Sequence, residues 1–333
     1  MPNNRFIVIV FIYFLVLPTM ALATEERDEK DSGSILGLVI ENDSFTGTDK
    51  NYTNGIRFSM LSSEDKLPHW INSLASALPL ADNGNKRISI AAGQNMYTPT
   101  DITQKNPPTT EQPYAGWLYG SVGIVSDTGK ALDNVMLTLG MVGPLSYAEQ
   151  TQKIVHNLID SPYPQGWRHQ LKNEPGIILT YEHKWRQMYE FSPFGVGIDI
   201  TPHLGGDLGN VNTDAIMGAT FRLGYDLPAD YGPPRVRPSL PGSDFFIPTQ
   251  KLGGYIFTTF AEQAVARNIF LDGNTFTSSP HVDKEILVSS LQSGVALTYK
   301  EARVSYTQVY ISKQYATEEH PEKFGVLTFS WRF

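Results

Sequence analysis

The sequence holds no cysteine, and it lacks any excess of basic charge: 26 Lys and Arg stand against 34 Asp and Glu, a formal net charge of −8. Without cysteine there is no disulfide framework, so an exported chain of this kind must draw its stability from closed backbone pairing. The acidic balance argues against nucleic-acid binding, which draws on a basic face. Long apolar runs are also missing. Beyond the N-terminus, no stretch approaches the roughly 20 residues that a membrane-spanning helix needs. Yet 41% of the residues are hydrophobic and 11% aromatic, so the apolar residues are dispersed, as they are along the alternating strands of a transmembrane barrel. At the N-terminus, Arg5 precedes an apolar run of 12 residues, Phe6 to Leu17, followed by Pro18 and by Ala21, Leu22 and Ala23. That small-x-small pattern reads as a signal peptide over residues 1–23, leaving 24–333 as a single domain with no internal repeat or linker.

The clearest strand is the last. Leu327, Phe329, Trp331 and Phe333 fall on one side, and Val326, Thr328, Ser330 and Arg332 on the other, because strand side chains alternate faces. An exposed aromatic stripe is a liability on a soluble sheet but suits a strand with one face in lipid. The pattern resembles the terminal strand of bacterial outer-membrane barrels. About twelve strand-like segments follow from the same alternation: 34–42, 52–61, 86–96, 114–126, 131–142, 175–187, 194–204, 214–227, 251–263, 285–299, 302–312 and 323–333. The expected fold is therefore all-β, a transmembrane antiparallel β-barrel of about twelve strands. With both ends periplasmic, the short links at 126–130 and 300–301 fall inside. Parity also puts 62–85, with its amphipathic stretch from Leu67 to Leu78, and the Pro-rich 228–250 on the periplasmic side.

One outer loop stands apart. Ser146 and Glu149 have the spacing of a capping box, which predicts a short helix from Tyr147 to about Ile159, ending before Pro162. Gln152 and His156, four apart, share one face of that helix over the barrel mouth. The first strand ends in Glu41, Asn42 and Asp43, the second opens near Thr53, and the third ends at the same rim with residues 94–99. Asp and Asn oxygens suit a hard cation such as Ca²⁺, and a neutral imidazole can take a proton from water. Asn-Asp after a strand is equally a turn signal, and Thr53 is equally ordinary strand composition. On spacing alone both readings stand.

The combination of Glu41 to Phe45, Thr48 to Gly55, Gln94 to Pro99, Pro113 to Trp117, Gln152 with His156, and Gly166 with Trp167 resembles the outer-membrane lipid A 3′-O-deacylase family. The resemblance runs from about residue 34 to the C-terminus and includes Tyr231 to Pro238. It implies a twelve-stranded barrel in the bacterial outer membrane with a site between wall and loop helix. It also implies Ca²⁺-dependent hydrolysis of the ester that carries the 3′-acyloxyacyl chain of lipid A, with lipopolysaccharide as partner. Carried over by motif, His156, Asn42, Thr53 and Gln152 are the expected catalytic residues and Asp43 the metal ligand. Lys105 matches a phosphate-holding Lys, whereas Asn106 stands where the family has Arg. In that reading His156 activates water and the metal stabilises the oxyanion. A serine nucleophile, Ser44 or Ser59, is the mechanistic alternative. A barrel phospholipase and a non-enzymatic pore or adhesin are the functional ones. Spacing does not separate a monomer from a dimer.

Overall fold

The computed structural model describes residues 33–43, 51–64, 67–68, 71, 73, 75, 77–80, 84–186, 189–191, 196–228, 230–233, 245–247 and 249–333. The expected signal peptide lies outside them. Period-two alternation along the chain produces β1 (Ile35–Asn42), β2 (Asn51–Leu61), β3 (Asn85–Thr98), β4 (Ala115–Asp127) and β5 (Ala131–Val142). After the loop helix α1 (Ala148–Ile159) come β6 (Glu174–Trp185), β7 (Tyr189–Phe191), β8 (Val196–Gly209), β9 (Asn212–Tyr225) and β10 (Thr249–Asn268). A single turn, α2 (Ile269–Asp272), then leads to β11 (Leu287–Lys300), β12 (Ala302–Ile311) and β13 (Glu322–Arg332).

Among the described residues every pairing is antiparallel; apart from β6 with β8 each joins chain neighbours, and β1 closes on β13 from Ile35 opposite Arg332 to Asn42 opposite Gly325. β7 is not a separate stave. It pairs with Ile198–Ile200 of β8, while β6 pairs with His203–Gly209 of the same strand. β6 and β7 thus share one position, and the ring is a closed barrel of 12 strands, as expected from the alternation. Ser34 and Phe333 exchange two backbone hydrogen bonds of 2.9 Å at the end that carries both termini. The tight turns at 128–130 and 301 lie at that same end, the one expected to face the periplasm.

The two faces of the wall differ as a membrane requires. Leu36, Phe58, Ile90, Val122, Leu139, Phe260 and Phe329 point out and are exposed, whereas Arg57, Ser89, Ser121, Asn134, Thr180 and Thr298 point in and are buried. The outward set includes the aromatic stripe of the last strand. No helix among the described residues is long and apolar enough to cross a membrane; the crossing is made by strands.

The two segments that the sequence leaves without a role take opposite sides of the periplasmic rim. Ile71, Ala75 and Leu80 pack on the outside of the wall against Ile124 and Val135, with Leu67, Leu78, Ile88 and Tyr181 beside them. The described residues of the Pro-rich segment instead enter the lumen. Tyr231, Phe245 and Phe246 join Ile35, Leu61, Val125 and Leu132 in one buried cluster. Asp230 accepts from Arg222 at 2.5 Å and from Arg303 at 3.2 Å, while Arg222 also clasps Asp199 at 2.6–3.1 Å. Arg303 lies over the Phe246 ring and Arg87 over that of Phe245, and Tyr231 donates to Asp127. These groups fill the periplasmic end of the barrel.

The loop helix needs one correction. No capping box forms. Gly143, at φ 93°, turns the chain out of β5 into a 3₁₀ turn over Pro144–Ser146, and Tyr147, at φ 58°, occupies the cap. Ser146 therefore sits one residue too early, and its hydroxyl donates to the Gly143 carbonyl at 2.6 Å. Glu149 reaches forward instead, accepting from Lys153 at 2.6 Å and holding that ammonium above its ordinary pKa.

Candidate active site

The helix does not lie over the barrel mouth. Gly116 shares the outward face of β4 with exposed Leu118 and Val122. A Cβ there would collide with Ser146 Oγ and Ala148 Cβ. Glycine leaves the wall bare where the first turn of α1 rests, so the helix lies against the outside of the barrel. Gln94, outward on β3, donates to the Ser146 carbonyl at 2.6 Å. Met96, two residues on, packs with Tyr114, Ala148 and Trp167.

Against this wall α1 turns its polar side. Gln152 is 2% exposed and His156 6%. His156 Nδ1 lies 2.6 Å from the Pro162 carbonyl. A carbonyl can only accept, so Nδ1 carries the proton and Nε2 is left as the basic nitrogen. Trp167 Nε1 donates to Gln152 Oε1 at 2.6 Å. That contact fixes which end of the amide is which, and it leaves the Nε2 amino group buried with no partner among the described residues. A buried donor without an acceptor costs about 1–3 kcal/mol, so its retention points to an acceptor beyond the described residues. One helical face thus carries a base and a free donor a turn apart.

The other predicted residues lie along the same rim. Register places Asn42 opposite Asn54, Asn54 opposite Met96, and Met96 opposite Gly116. One outward row therefore runs from Asn42 to the helix seat, with Asn42 two strands, about 10 Å, from Met96. Thr53 is the extra residue of a β-bulge between Tyr52 and Asn54. Its side chain lies outside what is described. Asp43 is buried at the end of β1. Among the described residues no three His, Asp or Glu side chains converge into a metal cluster. Asn42 and Asp43 do offer hard oxygens of the kind Ca²⁺ takes, and carbonyls can complete such a shell.

Lys105 is exposed on the loop after β3, and beside it Asn106 accepts from Arg168 Nη2. Arg168 Nε also donates to His169 Nε2 at 3.0 Å. A guanidinium from the turn after α1 thus stands beside Asn106, the position where the resemblance leads to the expectation of an Arg. Sequence reasoning missed Arg168 because its partner Asn106 lies 62 residues away. It also left Trp167 without a role, although Gly166-Trp167 was part of the motif set. Of the two serines, Ser44 lies outside the described residues. Ser59 is buried on the inward face of β2, on the far side of the wall from α1. A cavity of about 120 Å³ in the lumen, bordered by Glu41, Arg57, Trp117 and Asp207, is likewise on the far side. His156 and Gln152 are not part of its lining.

Two comparisons with known proteins bear on this architecture, a family model and a solved structure. The family model described as outer membrane protein LpxR matches residues 7–333. Among solved structures, LpxR from Salmonella typhimurium superposes with a TM-score of 0.73 at 16% identity, covering 90% of this chain and 100% of that one. The β domain of the Bordetella autotransporter BrkA aligns over 92% of this chain and 100% of its own at 9% identity, with a TM-score of 0.41. No curated protein sequence matches. With the family model spanning nearly its whole length, the chain belongs to the LpxR family of outer membrane proteins.

Proposed function

We propose that this protein is a lipid A 3′-O-deacylase, an ester hydrolase of the outer leaflet that releases the 3′-linked acyloxyacyl chain. The observation that carries the reading is the buried Gln152–His156 pair between helix and outer wall, at the height where an ester near the headgroup boundary would sit. His156 Nε2 takes a proton from water, and the water oxygen attacks the ester carbonyl. Gln152 Nε2 donates to the carbonyl oxygen as it becomes negative. The bond to the sugar oxygen then breaks, His156 returns the proton to that oxygen, and a free fatty acid and a 3′-hydroxyl result. Asn42 and Asp43 would hold Ca²⁺, whose charge would favour the developing oxyanion. Thr53 would order this rim, and Lys105 with Arg168 would meet a phosphate of the headgroup.

The deciding experiment incubates detergent-folded protein with purified lipid A and Ca²⁺ or a chelator, with products read by mass spectrometry. Loss of one acyloxyacyl unit is expected with Ca²⁺, and about 10²-fold less of it with chelator. Release of fatty acid from glycerophospholipid but not from lipid A would install the phospholipase reading. Intact lipids from a folded barrel would remove both.

Trp167 tests the mechanism from one step away. Trp167→Phe keeps a ring in the Tyr114–Met96 cluster but removes the N–H that orients Gln152. We expect kcat to fall about tenfold to a hundredfold with KM unchanged. Added to Gln152→Ala, the same change should cost nothing further. Additive losses would mean that Trp167 acts by packing alone.

A further inference from the structure

α1 is amphipathic the wrong way round for a helix bathed in water. Its polar residues Gln152 and His156 face the wall, whereas Ile154 is 60% and Leu158 79% exposed. At 100° per residue, Ile154 and Leu158 lie about 160° around the helix from Gln152 and His156 respectively. Tyr147, Ile159 and Leu145 are exposed as well, and so is Tyr163 just beyond the helix. These exposures match those of the wall itself, where Ile90 is 55% exposed. The patch is also continuous with that wall. α1 starts nine residues after the outward Leu139 of β5 and rests on Gly116, one row above outward Leu118. At the edge, Lys153 is paired with Glu149 and lies over the Tyr163 ring, a charged group beside an aromatic one, as at a membrane–water boundary.

We infer that the outward face of α1, centred on Ile154 and Leu158, is a lipid-contacting surface that sits among the acyl chains of the outer leaflet. The helix is then an interfacial one, pressed between barrel wall and leaflet. Its partner is the hydrocarbon of the membrane rather than another protein, because the patch extends the barrel's own lipid-facing belt without a break. A long-chain ester would enter the space between helix and wall from the membrane plane.

The absence of cysteine makes the test direct. Single variants Ile154→Cys and Leu158→Cys, with Ile90→Cys as belt control and exposed Lys130→Cys as water control, would be spin-labelled. Reconstituted in lipid A–phospholipid vesicles, each would be read for collision with oxygen and with a water-soluble nickel chelate. Labels at 154 and 158 should behave like the one at 90: oxygen-accessible and shielded from nickel. Nickel accessibility equal to that at 130 would overturn the proposal, whatever the catalytic activity. A second arm rests on the deacylase reading. Ile154→Glu with Leu158→Glu should lower hydrolysis of vesicle lipid A at least tenfold and leave hydrolysis of the same lipid in detergent micelles unchanged. An equal loss in both would place these residues in the site's structure rather than at the leaflet.

Discussion

His156→Ala should slow lipid A ester hydrolysis by about 10³-fold, within the 10²–10⁴ that a positioned general base contributes. The barrel should stay folded, because His156 belongs to a loop helix and takes no part in the strand ladder. His156→Gln sharpens the test. Glutamine can still donate to the Pro162 carbonyl but cannot accept a proton, so it should be as inactive as alanine. If the Pro162 contact serves only to hold the loop, glutamine should recover activity. Retention of more than about a tenth of the wild-type rate in both variants would remove His156 from the chemistry. Labelling of the active protein by a serine-reactive fluorophosphonate would replace it with a serine mechanism.

Asp230→Ala should produce the largest loss of stability, about 3 kcal/mol. Asp230 is fully buried and bridges Arg222 and Arg303, both also fully buried. Removing one partner of a buried ion pair leaves charge in a low-dielectric interior, at a cost of roughly 3–5 kcal/mol. The lower figure applies because Arg222 keeps Asp199. Urea unfolding from vesicles would measure it. Planar-bilayer recordings would report the second consequence. The wild-type barrel, filled at its periplasmic end, should not conduct, whereas the variant should show intermittent current as Tyr231, Phe245 and Phe246 loosen. Hydrolysis should change little, since α1 sits on the outside of the wall at the opposite end. A variant as stable as wild type and equally silent would mean that Asp230 does not hold the segment in place. Steady current through the wild type would revive the pore reading.

The difference between what was legible and what was not follows the range of the forces. Alternation is local, so the twelve staves could be read one segment at a time, and the structure changes mainly their ends. β10 runs to Asn268 rather than residue 263, and the sixth stave is broken between Trp185 and Tyr189. The helix was legible from signals that are also local, the Ser146–Glu149 spacing and the stop at Pro162. Its cap was not, since the φ of Gly143 and Tyr147 outranked a capping motif that sequence alone would favour. The face it covers was invisible for a different reason: the seat is an absence, the missing side chain of Gly116, contributed by another strand.

The sequence by itself determined a β-barrel with an apolar outside, because the two faces of each strand are written in every second residue and lipid or lumen must meet them. It also placed Gln152 and His156 on one helical face, since about one turn separates them. Only the tertiary structure decided that Gln152 and His156 face the outer wall, that Trp167 turns the Gln152 amide, that Arg168 stands beside Asn106, and that Tyr231, Phe245 and Phe246 pack in the lumen. Each of these depends on groups far apart in the chain that meet only once the ladder's register is set. Register is a property of the closed ring as a whole, and no single strand carries it.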